Sequence, residues 1–166
     1  MAKDVTSLRS ALEWLKSEGL LIETDKEVNP DLEITGLQKH FDGGPPILFN
    51  NVKTKPHARA VTNLFGDIRI IEKMFGWKNS KERVEKVSYA LDHPLKPVEI
   101  PQDKAPVQEH VITDQRDVNK WITAIRHTEL ESELTIGSGI SCIIGDYFNG
   151  GSHIGYNRMN FRWGDV

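Results

Sequence analysis

The sequence predicts an α+β chain, and three observations carry that prediction. Apolar residues recur at helical spacing in four stretches of the first 93 residues, and short runs of strand-forming residues lie between them. From Gly139 onward the pattern changes to β segments punctuated by glycine. Between the two regimes, Pro94, Pro97, Pro101 and Pro106 interrupt any helix or central strand. The expected organisation is an N-terminal mixed α/β domain over 1–93, a proline-rich linker over 94–106, and a second, incomplete domain over 107–166.

Each element has its own warrant. Leu8, Ala11, Leu12 and Leu15 form one helical face, with Thr6 or Ser7 to cap it and Gly19 to end it. Leu20 to Thr24 reads as a short strand. Asn29, Pro30 and Asp31 supply a cap, a proline at the first helical position and an early acid for a helix carrying Leu32, Ile34, Leu37 and Phe41. Ile47 to Phe49 and Ala60 to Phe65 read as strands, the second closed by a turn at Gly66. Asp67 caps a helix with Ile68, Ile71, Met74 and Phe75 inward, and Gly76 stops it. Asn79 and Glu82 form a capping pair for a further helix whose Val84, Val87 and Leu91 stripe reads as core.

Past the prolines, Val107 to Ile112 is expected to be extended. Asp117 is expected to open a helix through Trp121, Ile122 and Ile125, with His127 as a solvated residue near its end. Glu129, Glu131 and Glu133 read as a solvated acidic surface. Gly139 to Ile144 and Ile154 to Trp163 are strands, most economically paired as a hairpin. Gly137-Ser138-Gly139 has glycines but no helix signal after it, which argues against a phosphate loop.

Composition narrows the partners. A chain of 166 residues with 38% hydrophobic and 27% charged residues is globular. Its net charge of −3 offers no broad basic field for a nucleic-acid backbone. No apolar run approaches the roughly 20 residues that span a bilayer. Cys142 is the only cysteine, so an internal disulfide and a cysteine-cluster metal site are excluded; within Ile140 to Ile144 it reads as a buried thiol. The N-terminus lacks the apolar stretch of a signal peptide, and a cytoplasmic location is expected.

The most chemically loaded stretch runs from Asn149 to Phe161 and contains His153 and Arg158. A guanidinium can grip a carboxylate or phosphate, and an imidazole can hold a metal. Five positions apart, the two cannot share one face of a straight, regular strand. Convergence on one site requires Gly150, Gly151 and Gly155 to bend the strand or to leave its first residues in a loop.

The order of segments resembles the start of UbiD-type decarboxylases. The pieces are the helix Leu8 to Leu15, Glu27 to Ile34, Ile47 to Lys53, and Thr62-Asn63-Leu64-Phe65-Gly66, the last being the most telling. The resemblance covers essentially the whole chain. It implies that the second half begins a flavin-binding split β-barrel of the flavin-reductase type. It also implies reversible non-oxidative decarboxylation of an aromatic or α,β-unsaturated acid with prenylated FMN, a divalent metal and often potassium. The run Ser152 to Met159 is most similar to members acting on phenolic acids or phenols.

Carried over residue by residue, Arg158 matches the arginine that holds the substrate carboxylate and orients a glutamate. Ile154, Tyr156 and Asn157 fall where the strand lies against the cofactor. His153 stands at a position usually filled by a metal-ligating asparagine. Imidazole favours manganese, iron or zinc over magnesium, with Mn2+ the expected ion. The family's other metal ligands, the glutamates that partner the arginine and its potassium loops are expected downstream of Val166. The chain therefore reads as the N-terminal third of such an enzyme, inactive alone, whose parent is a homo-oligomer or a carboxylase subunit. The rival readings are a non-catalytic subunit or binding module of a larger carboxylase, and a small flavin-binding protein.

Overall fold

The computed structural model describes residues 4–55, 58–95, 98–111, 113, 121–143 and 153–161, without the side chains of residues 142, 143 and 153. Helix α1 (Leu8–Ser17) starts where a capping box allows it: the Ser10 N–H donates to the Ser7 hydroxyl and the Ser7 N–H to the Ser10 hydroxyl. Gly19, at φ +66°, turns the chain away after it. Strands β1 (Ile22–Thr24), β2 (Ile47–Phe49) and β3 (Ala60–Thr62) form one sheet in that order, β1 parallel to β2 and β2 antiparallel to β3. All three residues of β2 are buried because both of its faces are covered.

The core follows from that sheet. Ile47 and Phe49 join Val28, Ile34 and Val52 in one buried cluster, flanked by Ile22, Leu37 and Ala60. A second cluster gathers Leu15 of α1 with Ile70 and Met74 of α3 (Ile68–Phe75). Helix α3 is capped at Asp67, whose carboxylate accepts the Arg69 N–H, and ends at Gly76 with φ +71°. Its inward face is Ile70 and Met74. Ile68 and Phe75, expected inward, are each 44% exposed, because the buried face centres on the row Ile70–Met74 rather than one residue to either side.

Helix α2 (Glu33–His40) begins later than expected. Asn29 accepts the Asp31 N–H and Glu33 accepts the Asn29 N–H, so the capping chemistry closes a turn before the helix, which starts after Leu32 at φ +69°. The far end of α2 is held from a distance. Asn63, at φ +55°, donates its amide to the carbonyls of Gln38 and Phe41. A Cβ at Gly66 would lie 3.3 Å from the Gly44 carbonyl oxygen. Both ends of the Asn63–Gly66 run are therefore occupied in holding the fold, and β3 stops at Thr62 rather than running on to Phe65.

Helix α4 (Ser80–Asp92) is capped by Asn79 as expected, but its Val84, Val87 and Leu91 stripe is exposed and none of its residues is buried. Amphipathic spacing sets which residues share a face; it does not supply a neighbour for that face. Two short 3-10 turns follow, Gln102–Lys104 and Pro106–Gln108, so residues 106–108 are not extended: Pro106 presets the first position of its turn. Residues 117–120 of the expected later helix lie outside the described part. Its remainder is not helical, because Ile125 pairs with Thr135 and Arg126 with Asp31, and Ile125 packs on the first core cluster. Tertiary pairing here overrides helical spacing. No helix among the described residues is long and apolar enough to cross a membrane.

Candidate functional site

The β-rich end is a two-stranded antiparallel sheet, β4 (Thr135–Ile143) with β5 (His153–Asn160), so the expected antiparallel pairing is found with β4 starting earlier and β5 ending sooner. The connection over 144–152 lies outside the described residues. Ile136 pairs with Met159 and Gly139 with Asn157, so β4 advances three residues while β5 advances two. The extra residue is a β-bulge in β4, opposite Arg158. Gly137-Ser138-Gly139 thus serves the bulge. A Cβ on Gly139 would sit 2.7 Å from Met159 Cε and 2.8 Å from the Asn157 carbonyl oxygen, and only glycine fits there.

The register shift lies in β4, so β5 keeps its alternation. Ile154, Tyr156 and Arg158 fall on one face, and their exposure suits a surface that receives a ligand: Ile154 is 68% exposed and Tyr156 79%. Asn157 belongs to the other face, where its side-chain amide donates to the Ser141 hydroxyl at 2.9 Å. His153 pairs through its backbone with Ile143; its side chain, like that of Cys142, lies outside the described part.

Arg158 has a partner that the sequence did not disclose. Its Nη1 donates to Glu131 Oε1 at 2.8 Å, and the Glu131 side chain is only 17% exposed against 59% for Arg158. The other oxygen of Glu131 accepts the His127 N–H at 2.7 Å. That N–H is the largest influence holding the Glu131 carboxyl below the usual carboxylate range; the charges of His127 and Arg158 act the same way, and burial opposes them. The acidic run is therefore not a uniform solvated surface. Nor is His127 a solvated helix end: it is half-buried, and its Nδ1 is 2.7 Å from the Thr135 hydroxyl.

The segment bearing Glu131 is fixed from below by Arg126. Its Nε donates to the Glu131 carbonyl at 2.8 Å and its Nη2 to the Glu129 carbonyl at 2.9 Å, while Nη1 lies 3.4 Å from Asp31 Oδ1. The Arg126 N–H donates to the Pro30 carbonyl, and the Thr35 hydroxyl donates to the Arg126 carbonyl. The N-terminal unit thus grips the loop that grips Arg158. No local pattern sets Glu131 apart from Glu129 in the sequence. Its pairing with a residue 27 positions away comes from the hairpin's register.

Two further observations bound the site. Among the described residues no three His, Cys, Asp or Glu side chains assemble a metal site. An apolar cavity of about 330 Å³ lies between the first sheet and α2, lined by residues such as Ile22, Lys26, Leu37 and Phe41, and draws none of its lining from β4 or β5.

Residues 12–91 match the family described as the 3-octaprenyl-4-hydroxybenzoate carboxy-lyase (UbiD) N-terminal domain. The chain is 28% identical to gallate decarboxylase of Lactiplantibacillus plantarum over 154 residues, 84% of this chain and 31% of that protein. It is 30% identical to ferulic acid decarboxylase 1 of Candida dubliniensis over 142 residues, 72% of this chain and 27% of that one. Among solved structures, an evolved dimeric form of the UbiD-class enzyme HmfF from Pelotomaculum thermopropionicum, in complex with prFMN, superposes with a TM-score of 0.82 at 30% identity, over 92% of this chain and 35% of that one. The 3,4-dihydroxybenzoic acid decarboxylase of Enterobacter cloacae gives 0.84 at 25% identity, over 95% and 35%. The chain spans about a third of the length of these relatives.

Proposed function

This chain carries the N-terminal domain of the UbiD carboxy-lyase family, and from that premise we propose that its parent catalyses reversible non-oxidative decarboxylation of an aromatic, phenolic acid with prenylated FMN. The observation that carries the reading is the exposed face of β5, where Ile154 and Tyr156 lie in line with Arg158. A flat apolar strand face ending in a fixed cation suits an aromatic ring bearing a carboxylate, and the same face suits the ring system of a flavin. Prenylated FMN, when bound, supplies the electron sink for the electrons left as carbon dioxide departs.

This chain's own residues do the holding. Arg158 offers a planar fork of donors to the substrate carboxylate. With Nη1 donating to Glu131, the guanidinium keeps further N–H donors for the carboxylate. Ile154 and Tyr156 exclude water from the ring that lies on them. Among the described residues no three His, Cys, Asp or Glu side chains assemble a metal site, and the His153 side chain lies outside them. The reading nevertheless includes His153 as a ligand, with Mn2+ as the ion and K+ as a possible companion in the parent. Elemental analysis of wild type and His153→Asn tests this, manganese content being expected to fall in the variant relative to magnesium.

The decisive experiment uses the parent protein co-produced with a flavin prenyltransferase. Flavin absorbance and carbon dioxide release from gallate or 3,4-dihydroxybenzoate are expected. Arg158→Lys should lower kcat/KM by about 100-fold or more, since an ammonium cannot reproduce the fork. A colourless protein inert toward every aryl acid would overturn the reading.

A further inference from the structure

We infer that the cavity between the first sheet and α2 is a binding site for a small neutral phenol, with apolar walls for the ring and carboxylates for its hydroxyl. All of its lining comes from residues 22–49, so it does not depend on the role given to Arg158.

Two periodicities build the cavity. Ile22 and Thr24 alternate with Glu23 along β1, and Ile47 and Phe49 with Leu48 along β2, so each pair shares one face of its strand. The parallel register sets Ile22 beside Ile47 and Thr24 beside Phe49, and these four residues line one side of the cavity. On α2, Glu33, Leu37 and Phe41 recur every four residues, from the first residue of the helix to its C-cap, and line it as one row. Ile34, on the adjacent row, is fully buried in the first core cluster. The helix thus packs one row and leaves the next facing space. The volume of about 330 Å³ falls in the range of small-molecule pockets, whereas close-packed interiors hold few voids larger than a water.

The polar lining selects the ligand. It consists of Thr24, Lys26, Glu27 and Glu33, so two carboxylates face one ammonium and leave a formal charge of about −1 at neutral pH. Glu33 takes the Asn29 N–H on Oε2 at 2.6 Å, which leaves its other oxygen to accept. The Thr24 hydroxyl accepts the Lys26 N–H at 3.2 Å and keeps its own proton to donate. A ligand carboxylate would meet like charge here, and a ligand ammonium would give up its hydration among mostly apolar walls. A phenol avoids both penalties. Its ring suits the apolar walls with Phe41 and Phe49, and its hydroxyl donates to a carboxylate in a charge-assisted bond. A phenolic acid that loses its carboxylate becomes a phenol, so a parent acting as proposed would release a ligand of this class.

Methyl NMR of this chain, titrated with phenol, tests the site. The Ile22, Val28, Leu37 and Ile47 signals should shift together and saturate with a Kd on the order of 1 mM, while Ile70 and Met74 of the second cluster stay in place. Benzoate and benzylamine, of similar size, should bind at least about 10-fold more weakly. Leu37→Trp should abolish the shifts by filling the cavity. Glu27→Lys, at an exposed position, should narrow the preference for phenol over benzoate to about 3-fold or less. Should Leu37→Trp fail to fold, Glu27→Lys decides. The inference is overturned by the absence of saturable shifts, by shifts spread over both clusters, or by benzoate or benzylamine binding as tightly as phenol. Unchanged binding in folded Leu37→Trp, or an unchanged preference in Glu27→Lys, overturns it as well. In the parent protein the same methyl signals should respond at similar phenol concentrations; silence there would mean that the parent fills the cavity with its own chain, which also overturns the site. A parent inert toward aryl acids would overturn the decarboxylase reading and leave these titrations unaffected.

Discussion

The three-stranded unit and the β4–β5 hairpin are built from similar residues, but the first closes over its own side chains and the second leaves them in solvent. Phe49 and Ile34 are essentially inaccessible, whereas Tyr156 is 79% exposed and Ile154 68%. The sheet of the N-terminal unit has helices to cover it; the hairpin is a two-stranded layer on which Ile154 and Tyr156 stay exposed. A strand's alternation decides which residues share a face, and the number of layers decides whether that face is core or receptor. The sharpest way to break the comparison is truncation. Phe49→Ala should cost about 3–5 kcal/mol of unfolding free energy, and Tyr156→Ala within about 0.5 kcal/mol, both read by urea unfolding of this chain. Equal losses would mean that the hairpin face is packed in solution.

Between those extremes stands the bulge. Gly139→Ala should destabilise the hairpin by about 1–3 kcal/mol, the usual cost of overpacking, because the added carbon would meet both Met159 Cε and the Asn157 carbonyl oxygen. Pairing it with Met159→Ala should recover only part of the loss. The side chain can be removed, but the carbonyl belongs to the ladder. Full recovery in the double variant, measured by the same unfolding, would show that the backbone contact is unimportant and that the bulge tolerates a side chain.

What was legible follows the same division. Caps and stops at Ser7, Asp67, Gly76 and Asn79 were read correctly because each acts on its own helix end through neighbours in sequence. The antiparallel pairing of the last two strands was legible for the same reason. The Val84, Val87 and Leu91 stripe misled because periodicity identifies a face and says nothing of what lies against it. Trp121 to Ile125 misled more deeply: its apolar spacing suits a helix, yet Ile125 is drawn into the first core and a bridge to Thr135. At the site, Arg158 stood out through the family resemblance, five positions after His153 in a glycine-flanked strand. Glu131 did not, because the hairpin register, the bulge and the Arg126 clamp that make it special all depend on residues distant in sequence.

The smallest effect separates the two regions by pH. Each contains a carboxylate held below the usual range. For Asp67 the first cause is the Arg69 guanidinium, followed by the Arg69 N–H; for Glu131 it is the His127 N–H, followed by charge from His127 and Arg158. A carboxyl depressed in the folded state contributes stability that is fully present above its unfolded value and is lost as pH falls through its folded value. Neither contribution should therefore change between neutral pH and about pH 4.3, the ordinary glutamate value. Below that the consequences diverge. Protonating Asp67 loosens a cap on a helix whose Ile70 and Met74 remain buried, so α3 stays in place. Protonating Glu131 weakens the tie between the loop and an arginine whose side chain is 59% exposed. In an acid titration followed by NMR, the Arg158 guanidinium signals should average while the α3 amides are still dispersed. Averaging already between pH 7 and 5, or loss of α3 first, would show that the carboxylate at 131 is not what holds the hairpin's cation.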